Sequence, residues 1–218
     1  MERRAVTGLR HSRPGDEAAL RRLWTVVFGP EEVFMDGFFR TVYSPGSAAV
    51  VETEGDIVAA AYVIPFGQAR YIYAVGTHPD FRGRGFGKAV TLLAARDEPA
   101  YLCPADDGLR DWYIRAMGAT VVNRRPVFSA PEDLSPISAA EYAARREALL
   151  SETPHASYPP AVLKLFCLFG EFYADGKGGI WAMEDGEIRE ALPCRFSDEP
   201  FLLGLNHAPP LYWGLTLI

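Results

Sequence analysis

The chain has 218 residues, 49% hydrophobic and 12% aromatic, enough apolar material to pack the core of one large domain or two small ones. Its 28 acidic and 22 basic residues leave a formal net charge of −6, which argues against a nucleic-acid partner, and no apolar run is long enough to span a bilayer or to read as a signal peptide. Cys103, Cys167 and Cys194 are odd in number and widely spaced, and His11, His78, His155 and His207 are scattered, so neither a disulfide framework nor a metal site is expected, and the cytoplasm is the expected compartment.

Residues 9–12 read as a short first strand. Pro14-Gly15-Asp16-Glu17 then supplies helix-start chemistry ahead of Leu20, Leu23, Trp24, Val27 and Phe28 at helical spacing, and Gly29-Pro30 ends that helix. Val33, Phe34, Gly37, Phe38 and Val42 mark a second amphipathic helix, stopped by Ser44-Pro45-Gly46. Residues 48–53 and 57–64 form two strands around Glu54-Gly55-Asp56, a hairpin signal, and residues 71–77 form a strand that enters the glycine-rich stretch His78-Pro79-Asp80-Phe81-Arg82-Gly83-Arg84-Gly85-Phe86-Gly87-Lys88.

That stretch is the most informative in the chain. Gly83, Gly85 and Gly87 alternate, so the backbone can bend sharply and bring several N–H groups onto one concave surface, beside the unpaired donors of the helix that follows. Arg82, Arg84 and Lys88 make it a local basic spot on an acidic protein, suited to an anionic ligand. A Rossmann fingerprint would need glycine where Lys88 stands, and a Walker loop would need Ser or Thr at Ala89 and glycine at Arg82. The helix from Lys88 carries Val90, Leu92, Leu93 and Ala94 and stops at Pro99. Residues 101–103 are a short apolar strand, and Asp106 or Asp107 caps a helix with Leu109, Trp112, Tyr113, Ala116 and Met117 on one stripe and Gly118 at its end. Residues 120–123 and 127–129 then read as a strand pair.

Arg82, Gly85 and Gly87, read as Arg-x-x-Gly-x-Gly with His78-Pro79 just upstream, resemble the coenzyme A pyrophosphate loop of the GNAT superfamily of N-acetyltransferases. The order of elements over residues 5–130 is that of the GNAT fold. The resemblance implies an α/β (α+β) mixed sheet flanked by helices, with acetyl-CoA as acyl donor and a small-molecule or peptide amine as acceptor. It implies that the backbone of Val75 and Thr77 pairs with the pantetheine arm and that Arg82, Gly83, Arg84, Gly85, Phe86, Gly87 and Lys88 hold the pyrophosphate. In such enzymes a tyrosine in a Tyr-x-x-x-Gly pattern often protonates the leaving thiolate. Tyr113 is the nearest match here, one residue out of register with Gly118, and it also lies on the apolar stripe, so packing and catalysis are both open to it. Glu52 and Glu54 adjoin a hairpin turn and read as solvated, Tyr71 and Tyr73 as pocket lining, and His78 as structural. No general base is identifiable. An acyl-CoA-binding regulatory or scaffolding module that has lost its catalytic groups is the alternative function.

Residues 131–218 form a second region. Ser138 and Glu141 make a capping box for a helix through Leu149-Leu150. Residues 161–169 form a helix that is apolar nearly all round, to be buried against the first unit or against another subunit, which leaves a homo-oligomer open. Residues 180–183 and 187–192 flank the hairpin signal Asp185-Gly186, and residues 211–218 read as a terminal strand with Gly214 at a bulge. Two helices followed by strands look like the front half of a smaller, degenerate GNAT-like unit without the glycine loop, so the division expected is 1–130 and 131–218. This resembles the tandem arrangement of the enhanced-intracellular-survival type of acetyltransferase, in which the chain's terminal carboxylate, here Ile218, reaches the active site. The chain is too short for that family's sterol-carrier-like domain, and no aminoglycoside activity is carried over.

Overall fold

The computed structural model describes residues 7–67, 69–129 and 133–214. In chain order its elements are β1 (Thr7–His11), α1 (Glu17–Phe28), α2 (Glu32–Thr41), β2 (Ala48–Thr53), β3 (Asp56–Phe66), β4 (Ala69–Thr77), α3 (Phe86–Ala95), β5 (Ala100–Leu102), α4 (Asp107–Met117), β6 (Thr120–Val127), β7 (Ser135–Ile137), α5 (Ala139–Leu149), α6 (Pro160–Phe166), β8 (Gly170–Ala174), β9 (Ile180–Glu184), β10 (Glu187–Leu192) and β11 (Arg195–Leu205). They build a seven-stranded mixed sheet in the order β1-β2-β3-β4-β5-β11-β6 and a four-stranded sheet in the order β10-β9-β8-β7.

The larger sheet is buried on both faces, and the period-2 pleat sorts its residues between two cores. Tyr71, Tyr101 and Leu202 face one side, with Leu20, Trp24 and Phe38 of α1 and α2. Their chain neighbours Ile72, Leu102 and Leu203 face the other, with Val90 and Ala94 of α3 and Tyr113 of α4. A third core, around Tyr142, Phe166, Phe172 and Ile180, lies under the smaller sheet.

Helix ends follow sequence chemistry in part. The Asp106 carboxylate accepts the Leu109 N–H at 2.7 Å, and Gly118 ends α4 at φ +68°. Ser138 caps α5 through the Glu141 N–H at 3.1 Å, but the Glu141 carboxylate turns to Arg145 at 2.6 Å, so only half of the capping box forms. Asp16 gives its carboxylate to Arg10 and to the Arg13 N–H instead of capping α1. The glycine-loop helix begins at Phe86, ahead of Lys88.

Several strands differ from expectation, and β7 and β8 form where none was expected. Residues 120–127 form one strand, β6, and its partner is not residues 127–129 but β11, for which the sequence carries no clear strand signal. β11 lies between β5 and β6, antiparallel to both. A strand from the C-terminal region therefore completes the sheet of the N-terminal one. Residues 211–218 give no strand in their described part: Tyr212 makes an isolated bridge to His155, and residues 215–218, with Ile218, lie outside the described residues. Gly214 is not at a bulge but at a close approach, where a Cβ would stand 2.0 Å from the Glu190 carboxylate.

The apolar helix of the second region is shorter than expected, Pro160–Phe166, and packs as its composition demands. Val162 and Leu165 enter the first core while Leu163 and Phe166 enter the third. It crosses α2 at Gly37, where a Cβ would lie 2.9 Å from Leu165 Cδ1 and 2.6 Å from Leu168 Cδ1.

Candidate active site

The site begins with an irregularity in β4. Tyr73 pairs with Tyr62 and Gly76 with Ala60, so three steps on β4 oppose two on β3, and the extra residue sits beside Ala74, whose φ of +47° lies in the left-handed region. Such a bulge re-aims the neighbouring backbone groups. On its other edge β4 pairs with β5 only through Arg70 and Tyr71, in parallel. From residue 72 onward the two strands part, and β4 presents an edge towards a cavity of about 620 Å³.

Tyr71, Tyr73, Ala74 and Val75 of β4 form one wall of that cavity. Cys103 and Tyr113 stand across the gap, Phe28 and Glu31 come from the α1–α2 turn, and Arg125, Glu199 and Phe201 come from β6 and β11. Tyr71 is backed by Trp213, with ring centroids 4.5 Å apart. The cavity wall thus draws on both regions of the chain.

Thr77 ends β4, and the glycine loop follows at that end of the strand, outside the cavity walls. His78 accepts the Asp80 N–H through Nδ1 at 3.3 Å and meets Phe81 edge-on, the structural role expected of it. Arg82 Nε donates to the Thr77 carbonyl at 3.3 Å, Arg84 donates to the Asp80 carbonyl at 3.0 Å, and the Arg84 guanidinium lies 4.8 Å from the Phe81 ring centroid. Gly83 and Gly85 adopt φ of +74° and +80°, and nothing lies within 4 Å of where a Cβ would stand at either. Bare backbone therefore faces open space in front of the first turn of α3, whose early N–H groups have no intrahelical partner. Gly87 lets that turn rest on the strand, its Cβ position 3.3 Å from Thr77 Oγ1.

Tyr113 lines the cavity but is buried, near Thr91 of α3, whose own hydroxyl donates to the Gly87 carbonyl at 2.8 Å. Burial pushes the phenol up to about 12, the nearby Thr91 hydroxyl opposing it, so the group is neutral near pH 7. α4 ends in paired bonds, Gly118 N–H to Ile114 O and Ala119 N–H to Tyr113 O, a normal left-handed termination. Burial likewise raises the Cys103 thiol to about 12, with the nearby Tyr71 hydroxyl opposing it. Glu52 receives Arg10 at 2.7 Å far from the cavity, and Glu54 sits in the β2–β3 turn at φ +55°. Neither contributes to the site.

Sequence reasoning missed Glu31, Cys103, Arg125, Glu199 and Phe201. The last two were hidden with β11, whose Pro200 and acidic start masked the apolar run Phe201-Leu202-Leu203-Gly204-Leu205. Glu31 carried one signal, its place after Gly29-Pro30 at a helix start.

Residues 17–97 match the model of the acetyltransferase (GNAT) family. None of the curated proteins gives a significant match. Among solved structures, a GCN5-related N-acetyltransferase from Kribbella flavida is similar over 86% of this chain and 57% of its own, with TM-score 0.62 and 18% identity. A proposed acetyltransferase from Pyrococcus horikoshii is similar over 97% of this chain and 94% of its own, with TM-score 0.63 and 10% identity. Eis1 from Mycobacterium abscessus is similar over 81% of this chain and 53% of its own, with TM-score 0.52 and 16% identity. The fold is thus the mixed GNAT fold, accompanied by a second, smaller sheet, and the chain spans just over half the length of the Kribbella and Mycobacterium proteins. Among the described residues no helix is long and apolar enough to cross a membrane, and no His, Cys, Asp or Glu cluster suits a metal ion.

Proposed function

We propose that this chain, whose residues 17–97 match the acetyltransferase (GNAT) family, is an acetyl-CoA-dependent N-acetyltransferase that moves an acetyl group to a primary amine by direct attack on the thioester. The observation that carries the reading is the gap between β4 and β5, open from the bulge at Ala74 to the glycine loop and continuous with a cavity large enough for an acceptor. In this reading the pantetheine arm pairs with Val75 and Thr77. Residues 82–88 hold the pyrophosphate on backbone N–H groups at a helix start, the Val75 N–H faces the thioester carbonyl, and Tyr113 supplies the proton to the departing thiolate. The second unit, in the manner of a tandem acetyltransferase, provides structure and part of the acceptor wall without binding coenzyme A. The protein is expected to work in the cytoplasm.

Acetyl-CoA should raise the melting temperature by mass action on the folded state. Gly85→Val should abolish that shift, because a β-branched residue resists φ +80° and puts a side chain into the space before α3. A folded Gly85→Val protein that still binds acetyl-CoA would overturn the loop assignment.

One observation favours the second reading, a catalytically degenerate acyl-CoA-binding module: Tyr113 is only 6% exposed and packs in the core between α3, α4 and the sheet. Free-thiol release against a panel of amines separates the two. If Tyr113 is the acid, Tyr113→Phe lowers turnover about 10²-fold or more with acetyl-CoA affinity unchanged. If it is only packed, turnover is unchanged and the melting temperature falls.

A further inference from the structure

Four carboxylates line the cavity, from Glu31, Asp106, Asp107 and Glu199, with two guanidinium groups, from Arg110 and Arg125. Both guanidiniums are already paired: Arg110 with Asp107 at 2.6 Å, and Arg125 with Glu199 at 2.9 Å, where it also lies 5.3 Å from the Phe201 ring centroid. Asp106 is spent on capping α4 through the Leu109 N–H at 2.7 Å. Among the described residues Glu31 alone of the four has no side-chain partner; it sits at the start of α2 and makes no capping bond. Its charge is felt by Tyr73, whose phenol is held above its ordinary value by burial first and by Glu31 second. Glu31 is an exposed residue at the cavity edge, and the same lining includes the aromatic and apolar Phe28, Tyr71, Tyr73 and Leu109.

The cavity therefore offers one uncommitted negative charge, no uncommitted positive charge, and ring faces suited both to a cation and to an apolar body. An acceptor with its own carboxylate or phosphate would meet only acids and already neutralised arginines. We propose that Glu31 is the specificity-determining residue of the acceptor site, and that the acceptor is a primary ammonium on an aromatic or alkyl body rather than an acidic or zwitterionic metabolite. This rests on the acetyltransferase reading for the fate of the amine, but not for its recognition.

The test compares 2-phenylethylamine with its uncharged counterpart 2-phenylethanol, and with phenylalanine, by titration calorimetry on the full chain, before any turnover is asked for. The amine should bind the wild type at least about tenfold more tightly than the alcohol or the amino acid, the value of one charge-assisted contact. Glu31→Gln should erase that preference, Glu31→Asp should keep part of it, and all three proteins should melt alike, since no other side chain leans on Glu31. Where turnover is seen, Glu31→Gln should raise KM for the amine and leave the acetyl-CoA-dependent melting shift intact. An amine bound no better than the alcohol by wild type, or equally well by wild type and Glu31→Gln, overturns the assignment. Absence of any acetyl-CoA shift in the wild type would instead overturn the acetyltransferase reading, while the amine-over-alcohol comparison would still decide the role of Glu31.

Discussion

The chain builds the same frame twice and finishes it in two different ways. β1-α1-α2-β2-β3-β4 and β7-α5-α6-β8-β9-β10 share the order strand, two helices, three strands, and each lays its strands side by side in chain order, all antiparallel. Both fourth strands carry a register shift, at Ala74 in β4 and between Ile188 and Glu190 in β10. In the first unit the irregularity opens a cleft and the strand runs into the glycine loop. In the second, Glu190 turns inward, fully buried, and is met by Tyr142 at 2.6 Å, Tyr158 at 2.8 Å and Arg146 Nε at 3.1 Å. Two residues, Pro193 and Cys194, then lead into β11, which crosses to the first sheet. What one unit leaves open as a cleft the other fills with its own ion pair, and the chain that follows serves as a strand of the first sheet.

If that comparison holds, the second unit cannot be removed. Leu202 and Leu203 of β11 are fully buried, one in each core of the larger sheet, and a fragment ending near residue 130 would part β5 from β6. Loss of a central strand should abolish cooperative folding, the largest effect foreseen. A soluble 1–130 fragment with a sharp thermal transition and a dispersed amide spectrum would show two independent domains instead.

Next in size is the ion pair that closes the second unit. Arg146 donates from Nε to Glu190 and from Nη1 to the Ala156 carbonyl at 2.7 Å, with its guanidinium 3.8 Å from the Tyr158 ring centroid. Arg146→Leu strands a buried carboxylate and should cost about 3–5 kcal/mol in denaturant unfolding, while adding Glu190→Leu should recover much of the loss. Equal stability of the single and double variants would mean that the pair is not the element that seals this copy.

How far the sequence disclosed all this depends on how local each signal is. The glycine loop, the β2–β3 hairpin, the Asp106 cap and the Gly118 stop are each specified within a few residues, so they could be read directly. β11 could not, because its partners are distant in the chain, with Leu203 opposite Leu102 of β5 and Arg195 opposite Val127 of β6, and Pro200 breaks its pattern at the point where the pairing with β6 is irregular. Short strands such as β7, Ser135-Pro136-Ile137, have too few residues for any periodicity. The cavity suffers the same limit: Tyr113 stands out by its near match to Tyr-x-x-x-Gly, whereas Glu31, Arg125 and Glu199 come to one cavity only through the tertiary fold.

A smaller effect is expected where the two copies touch. Their second helices, α2 and α6, pack together, with Phe34 and Phe169 ring centroids 5.6 Å apart and Gly37 permitting the approach of Leu165 and Leu168. Gly37→Leu should overpack this contact by about 1–3 kcal/mol. Gly37→Ala should come out near neutral, since its gain of about 1 kcal/mol in helix propensity offsets displacement of the flexible leucine ends. A Gly37→Leu protein as stable as wild type would show the contact between copies to be loose.

The smallest effect concerns the thiols, which report how differently the two copies are closed to water. Cys103 stands on the cleft side of the first sheet, its thiol raised from 9 to about 12 by burial, while Cys167 just beyond α6 is exposed. The reactive species is the thiolate, so iodoacetamide at pH 8 should modify Cys167 well before Cys103. The linkage has a definite sign. A group whose folded pKa lies above its unfolded value stabilises fully below the latter and loses that contribution as pH rises towards the former. Cys103 should therefore lower the melting temperature progressively from about pH 9 towards about pH 12. Tyr113, raised from 10 to about 12, adds to the upper part of the same window. Cys103→Val should flatten the slope across the whole window, removing it between about pH 9 and 10 and leaving the tyrosine contribution above that. An unchanged slope in Cys103→Val, or prompt alkylation of Cys103 in the native protein, would mean that water reaches this wall of the cleft and that the first copy is more open than its packing indicates.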